Sequence, residues 1–387
     1  MSNVLELGKL TKNPFTLVPE EKVTIWAGYN DLRRQLLKIV TSCRSDNVGL
    51  SEFIVLYGDI GTGKSHALRY LKNCIENEKK TDFQSPVIYL ESLKLAPKVD
   101  FLVIYRRIIE NLLDHMKETA NWLDSIIETS LPTGGSLHLD DLQRERERKY
   151  NDKKITPLFP CLPLLLRGIK NGDDKARKIL MGYSEKSLQH ENFGLLSPIN
   201  NEFSATRCLG AYINLCTHGP QNIDGTSPSG RNKAFYLFID EIELLNDYRP
   251  SEVLSINQGI RDLINTCPEN TCLLFGMTGD VRDISALLDK YVMGRMTHDP
   301  IIIPPMDNEQ AVLFLKEVLK NRRQNPDDPD EYPFRLDALK KIAEETSEKT
   351  ARELFRNCRR VLERSVLESR LKLGEWIEVQ DVEEFIS

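Results

Sequence analysis

The segment Gly58-Asp59-Ile60-Gly61-Thr62-Gly63-Lys64-Ser65 constrains this chain more than any other. It fits the pattern G-x-x-x-x-G-K-[ST], in which each fixed residue type has a mechanical reason. Glycines let backbone N–H groups curl around phosphate oxygens. Lys64 reaches the β and γ phosphates of a nucleotide, and the Ser65 hydroxyl is offered to Mg²⁺ at a helix N-terminus that already favours anions. The context agrees with the motif. Phe53-Ile54-Val55-Leu56-Tyr57 is a short, β-rich apolar run ending in Gly58, and Ser65 to Glu78 reads as helix.

The rest of the chain supplies more of the same architecture. Val87-Ile88-Tyr89-Leu90 reads as a second strand, followed by an amphipathic helix carrying Leu102, Ile104, Tyr105, Ile108, Ile109, Leu112 and Leu113. Near-continuous apolar runs at Ala234 to Ile239 and Thr271 to Phe275 suit central strands covered on both faces, with a helix around Ser255 to Thr266 between them. From about 121 to 230 strand character is lost. This stretch, with the charge run Gln143 to Lys149 and a Gly/Ser/Pro-rich end at Asn222 to Arg231, reads as a helical insertion. After Ile301-Ile302-Ile303 the chain turns helical at Asn308 to Asn321, Leu336 to Glu345, Thr350 to Leu373 and Gln380 to Ile386. The expected fold class is α/β: a P-loop NTPase core with a parallel sheet, a large helical insertion and a C-terminal helical lid domain. Its expected bounds are an N-terminal segment over 1–50, packed on the core through a helix bearing Leu32, Leu36, Leu37 and Val40, a core over 51–305, and a lid over 306–387.

A formal net charge of −6 argues against gripping nucleic acid by charge alone but leaves a local basic face open. Eight cysteines without a C-x-x-C pair suggest neither a zinc knuckle nor a redox motif. The N-terminus lacks an apolar leader and no apolar run approaches the roughly 20 residues of a membrane span, so the expectation is a cytoplasmic protein with no membrane partner.

A second motif lies far downstream. The strand at Phe235 to Ile239 delivers Asp240-Glu241 at its C-terminal end, where Asp240 would hold the Mg²⁺ shell and Glu241 would polarise an attacking water. An acidic pair after a strand is also a common helix N-terminal cap. The phosphate loop upstream favours the first reading.

The two motifs, the strand ending in Phe275-Gly276-Met277-Thr278 and the helical tail resemble the AAA+ superfamily, especially its Orc/Cdc6-like branch. The resemblance implies ATP and Mg²⁺ as cofactors, ATP hydrolysis, and assembly into homo-oligomers. Thr278 matches the polar sensor on a strand between the phosphate-loop strand and the Asp240 strand; a threonine at a strand end is the plain alternative. Arg352 in Thr350-Ala351-Arg352-Glu353-Leu354 matches the lid arginine that reaches back to nucleotide. The Gly-Asn-Pro-like turn usual before it is replaced by Glu348-Lys349-Thr350-Ala351, and a solvated arginine face over Arg352 to Arg364 competes. Arg295 matches an arginine finger for a neighbouring subunit, with Arg282 the weaker match and an ordinary surface arginine the alternative. Asn13-Pro14-Phe15 and Trp26-Ala27-Gly28 resemble the adenine-side segment of that branch, with Gly28-Tyr29 in place of its Gly-Arg; the aromatics equally suit core anchors. A narrower resemblance, to ATP-binding proteins of BREX-type phage-defence systems, rests on the loop continued through His66, on Leu180-Met181-Gly182, Phe193-Gly194-Leu195 and Ala205 through Leu215, and on Ile239 through Leu245.

These resemblances imply an ATP-driven switch or motor subunit working with other protein subunits in a DNA-directed system such as antiviral defence. A nucleotide-gated adaptor that recruits a nuclease, transposase or helicase partner and hydrolyses little is the alternative. A metabolic P-loop kinase fits less well, because an arginine-bearing lid helix follows the core.

Overall fold

The computed structural model describes residues 2–17, 20, 23–44, 50–77, 85–93, 96–130, 162–183, 188–190, 194–196, 198–218, 234–279 and 284–386. Arg282, Phe193, the charge run at 143–149 and the Gly/Ser/Pro-rich 222–231 lie outside these residues.

Seven strands are present among the described residues: β1 (Glu52–Gly58), β2 (Val87–Leu90), β3 (Leu188–His190), β4 (Gly194–Leu196), β5 (Phe235–Ile239), β6 (Thr271–Met277) and β7 (Ile301–Ile303). Five form one sheet in the order β2-β5-β6-β1-β7, with every pairing parallel. Why the central strands read as unbroken apolar runs is visible in their partners. Alternate residues enter two different cores: Phe53 and Val55 of β1, Leu237 and Ile239 of β5, and Leu273 and Phe275 of β6 pack on one face. Ile54 and Leu56, Tyr236 and Phe238, and Cys272 and Leu274 pack on the other. A strand buried on both sides has no polar face to alternate with.

The first face is covered by the long helix Phe101–Ser130 and by Pro250–Thr266. The described helices of the insertion, Leu162–Lys170, Asp174–Leu180 and Glu202–His218, bury Leu166, Ile179 and Tyr212 in that same core, so they thicken this layer. The insertion also contains a short antiparallel pair, β3 with β4, where the sequence suggested a mostly helical segment. The opposite face is covered by the helices Asn30–Ser42 and Lys64–Glu76.

The C-terminal helices Asn308–Lys320, Leu336–Glu345, Ala351–Leu367 and Val379–Ile386 enclose a separate core around Leu315, Leu339, Ile342, Leu354 and Leu362. Val4, Leu5, Leu7, Leu10 and Phe15 join this core, whereas the sequence suggested an N-terminal segment packed on the core domain. Phe15 is fully buried among Phe334 and Phe355, and the Thr11 N–H donates to the Arg322 carbonyl oxygen at 2.8 Å. From Trp26 onward the N-terminal segment packs on the sheet domain, with Trp26, Tyr29 and the helix Asn30–Ser42 against its core. No helix among the described residues is long and apolar enough to cross a membrane.

Candidate nucleotide site

The parallel sheet aims the C-terminal ends of β1, β5 and β6 at one cavity of about 520 Å³, a volume suited to a nucleotide-sized ligand. The turn after β1 is glycine-dependent. Gly61 and Gly63 take φ of +85° and +107°, which side-chain-bearing residues rarely adopt. A Cβ on Gly58 would lie 2.6 Å from Thr62 Oγ1 and 2.9 Å from the Ile303 carbonyl oxygen. Thr62 closes the loop by donating its hydroxyl to the Asp59 carbonyl oxygen at 2.9 Å.

Lys64 opens the helix that follows, and its ammonium donates to the carbonyl oxygens of Gly58 (2.7 Å) and Asp59 (2.9 Å). Burial pushes that ammonium below its ordinary pKa, against the opposing fields of Glu243, Asp240 and Asp59. Two backbone carbonyls satisfy a buried cation only in part, so an arriving anion finds an attractive charge. Ile60, Gly61, Thr62, Gly63, Lys64, Ser65 and His66 line the cavity, while Gly58 and Asp59 lie behind it as acceptors for Lys64.

Asp240 leaves the end of β5 and is 2% exposed. Its Oδ1 accepts the Glu241 N–H at 3.0 Å and its Oδ2 accepts the Tyr89 hydroxyl at 3.0 Å. Gly276 on the neighbouring β6 makes room for it, since a Cβ there would meet Asp240 Oδ1 at 2.4 Å. Glu241 adopts a left-handed backbone, φ 53° and ψ 43°, at the head of the short 3₁₀ turn Ile242–Asp247. Such strain in a non-glycine residue costs about 1–3 kcal/mol and is concentrated at functional sites. Burial first, then the negative charge of Asp240 and Glu243, raises the Glu241 carboxyl above its usual range. Glu243 carries no assigned role in the sequence reading, yet it lines the cavity and accepts the Thr278 N–H at 2.9 Å, fixing the end of β6. Its only sequence signal is the spacing D-E-x-E. Thr278 lies at the end of the strand between β5 and β1, at the cavity wall.

The lid closes one side. Thr350 caps the helix Ala351–Leu367 by accepting the Glu353 N–H, so a threonine cap stands in for a glycine-rich turn. The Arg352 N–H donates to the Gly61 carbonyl oxygen at 3.2 Å, and a Cβ on Gly61 would lie 2.7 Å from Arg352 Cβ. The start of the lid helix is thus seated on the phosphate loop, and Arg352 lines the cavity.

Apolar walls of the cavity include Val23, Ile25, Ala27, Met306 and Phe314, with Glu20 and Arg322 also lining it. Phe314 stacks on Phe355 with centroids 5.4 Å apart. His66 Nε2 donates to the Ile25 carbonyl oxygen at 2.9 Å, and burial holds its imidazole below its ordinary pKa. Trp26 meets the edges of His66 and Tyr70, and the Gly28 N–H donates to Glu317 at 2.6 Å, tying this segment to the lid. Pro14 and Trp26 reach the cavity, whereas Phe15 anchors the lid core. Tyr29 extends its hydroxyl to the Pro304 carbonyl oxygen.

Arg295 stands apart. It does not line this cavity, and its guanidinium donates to Asn265 Oδ1 (2.8 Å) and the Tyr291 carbonyl oxygen (2.7 Å) of its own chain.

Comparison with known proteins agrees with this layout. Over 94% of its length the chain is similar in structure to Cdc6p from Pyrobaculum aerophilum, with a TM-score of 0.50 and 14% identity, spanning 68% of that protein. The shared fold is a P-loop NTPase core with a parallel sheet, followed by a helical C-terminal region. The chain is also similar in structure to the Aeropyrum pernix ORC1 protein in complex with DNA (TM-score 0.49, 13% identity, covering 97% of this chain and 69% of that one). The ORC2 protein of the same organism in its ADP form is a further neighbour, at TM-score 0.48 and 14% identity over 98% of this chain and 73% of that one. No protein-family model and no curated protein sequence matches the chain.

Proposed function

We propose that this AAA+ chain binds ATP with Mg²⁺ and hydrolyses it, acting as a switch or motor subunit of a multi-component, DNA-directed system. The observation that carries this reading is the convergence of Lys64, Ser65, Asp240, Glu241, Thr278 and Arg352, from three parallel strand ends and the lid, on one cavity.

Each residue has a task its surroundings support. The phosphate loop presents its N–H groups to the phosphates, and Lys64 exchanges the carbonyls of Gly58 and Asp59 for phosphate oxygens. Glu241, when ionised, accepts a hydrogen bond from a water and directs its lone pair at the γ-phosphorus. Thr278 holds the far side of that water or a γ-oxygen, and Arg352 carries the positive charge of the lid to the phosphates. The donor set fits Mg²⁺, which takes one or two carboxylates with substrate phosphates and retained waters: the Asp240 carboxylate and the Ser65 hydroxyl flank the loop. Bound there, the ion neutralises phosphate charge. Arg352 and the Thr350 cap touch both lid and phosphate loop, so a change at the γ-phosphate bears directly on the lid seat. Arg295, outside its own cavity, is assigned in this proposal as the finger for a neighbouring copy.

DNA enters through the Orc/Cdc6-like sequence resemblance, and a place in phage defence is the narrower form of the same proposal. Of the segments behind the narrower form, Leu180-Met181-Gly182 serves packing. Gly182 has φ +67° with the Ile199 carbonyl oxygen 2.1 Å from where a Cβ would stand, and Tyr105 and Arg106 donate to the Leu180 and Met181 carbonyl oxygens. Steady-state phosphate release by the purified protein, with and without DNA, tests the proposal. Turnover that DNA stimulates supports it; tight ATP binding with persistent inactivity gives the adaptor instead.

A further inference from the structure

Strand β2 contributes no residue to the phosphate loop or to the sensor position, yet one of its side chains touches the site from behind. The β2–β5 register sets Tyr89 opposite Phe238, and this brings the Tyr89 hydroxyl to 3.0 Å from Asp240 Oδ2. Tyr89 does not line the cavity. Its hydroxyl has a second neighbour, Arg69 Nε at 3.4 Å, and the Arg69 guanidinium lies over the Tyr89 ring at 5.4 Å.

The chemistry of these three groups fixes the direction of the bonds. An arginine N–H only donates and an ionised carboxylate only accepts. The Tyr89 oxygen therefore accepts from Arg69, and its own hydrogen is committed to Asp240. Arg69 is itself held: it donates to Glu91 Oε1 at 2.6 Å and to the Glu20 carbonyl oxygen at 3.1 Å. It also belongs to the helix Lys64–Glu76 that begins in the phosphate loop. Asp240 is thus gripped at both oxygens, by the Glu241 N–H and by Tyr89, with the Gly276 backbone packed beside it.

On the reading that this cavity takes Mg²⁺ and ATP, we propose that Tyr89 is a positioning residue that fixes the Asp240 carboxylate for the metal, with Arg69 holding Tyr89 in place. A hydrogen bond behind a metal-directed carboxylate sets its orientation, and loss of such a partner commonly costs about 10–100-fold in metal affinity or activity.

The test uses the full chain and a fluorescent, slowly hydrolysed ATP analogue. Its binding is followed by anisotropy in EDTA and then against rising Mg²⁺. Tyr89→Phe removes only the hydroxyl. It should leave binding in EDTA and the melting temperature near wild type, and raise the Mg²⁺ concentration at half-effect by about 10-fold or more. Arg69→Gln should shift the same midpoint in the same direction by less. Adding Tyr89→Phe to Asp240→Ala should change nothing further, because the carboxylate being positioned is gone. An unchanged midpoint in Tyr89→Phe, or a further shift on the Asp240→Ala background, overturns the proposal. Wild type and Lys64→Ala binding the analogue equally would instead bring down the nucleotide reading, and the Tyr89 proposal with it.

Discussion

Gly276→Ala puts the geometry of the site under direct strain. The new methyl would stand 2.4 Å from Asp240 Oδ1 and 3.1 Å from Leu68 Cδ1, where ordinary contact begins near 3.4 Å. The carboxylate must therefore retreat by about 1 Å. The backbone has little freedom to share the movement, because β6 is paired on both sides, with Gly276 opposite Leu56 of β1 and Phe275 opposite Ile239 of β5. Asp240 turns instead and breaks one or both of its bonds to the Glu241 N–H and Tyr89. Overpacking of this size costs about 1–3 kcal/mol of stability. A misplacement of about 1 Å at a reacting centre costs on the order of 10²-fold in rate. Phosphate release at saturating ATP should fall about 100-fold while the protein stays folded by thermal melt and still binds nucleotide. Turnover within about threefold of wild type, in a folded variant, would refute the claim that Asp240 is held by this packing.

Four further outcomes can be measured on the same protein. Phe15→Ala empties a fully buried site in the lid core and should lower stability in a denaturant titration by about 3–5 kcal/mol. The acid limb of turnover should lie above the ordinary glutamate pKa of about 4.3, because burial, Asp240 and Glu243 all raise the Glu241 carboxyl, and Glu243→Gln should move it down. The sign for stability is the reverse of a paired carboxylate: a folded pKa above the unfolded one makes ionised Glu241 destabilising. Glu241→Gln should then be the more stable protein at neutral pH, with the difference gone once pH falls below the unfolded glutamate value. Arg295→Ala should keep ATP binding but lose turnover by about 10³-fold, and mixing it with Asp240→Ala subunits should restore part of it; no recovery in confirmed assemblies would make Arg295 a structural surface charge.

The parts of the site that are local in sequence were legible there. The phosphate loop is one contiguous segment, and Asp240 follows an apolar run whose burial on both faces dictates its composition. Residues that act across the sheet were not. Tyr89 and Gly276 matter through register and close approach to Asp240, which no spacing along the chain encodes. Glu243 looks like any acidic residue at a helix start until its bond to the Thr278 N–H is seen. The pair of β3 and β4 has three-residue strands, too short for a period to register. The contact of the N-terminal arm with the lid, through the Leu10–Arg323 bridge, joins positions more than three hundred apart in the chain, which no local pattern encodes.

In the proposed function Glu241 turns an ATP-binding cavity into a hydrolytic one, and single-turnover phosphate release tests that role directly. Wild type and Glu241→Gln would be loaded with Mg²⁺ and radiolabelled ATP, and bound nucleotide and free phosphate followed together. Both proteins should take up ATP with affinities within about threefold, because in this proposal Glu241 contributes to the chemical step and not to binding. Wild type should release phosphate while the variant retains intact ATP. Equal phosphate release by the two proteins would contradict it.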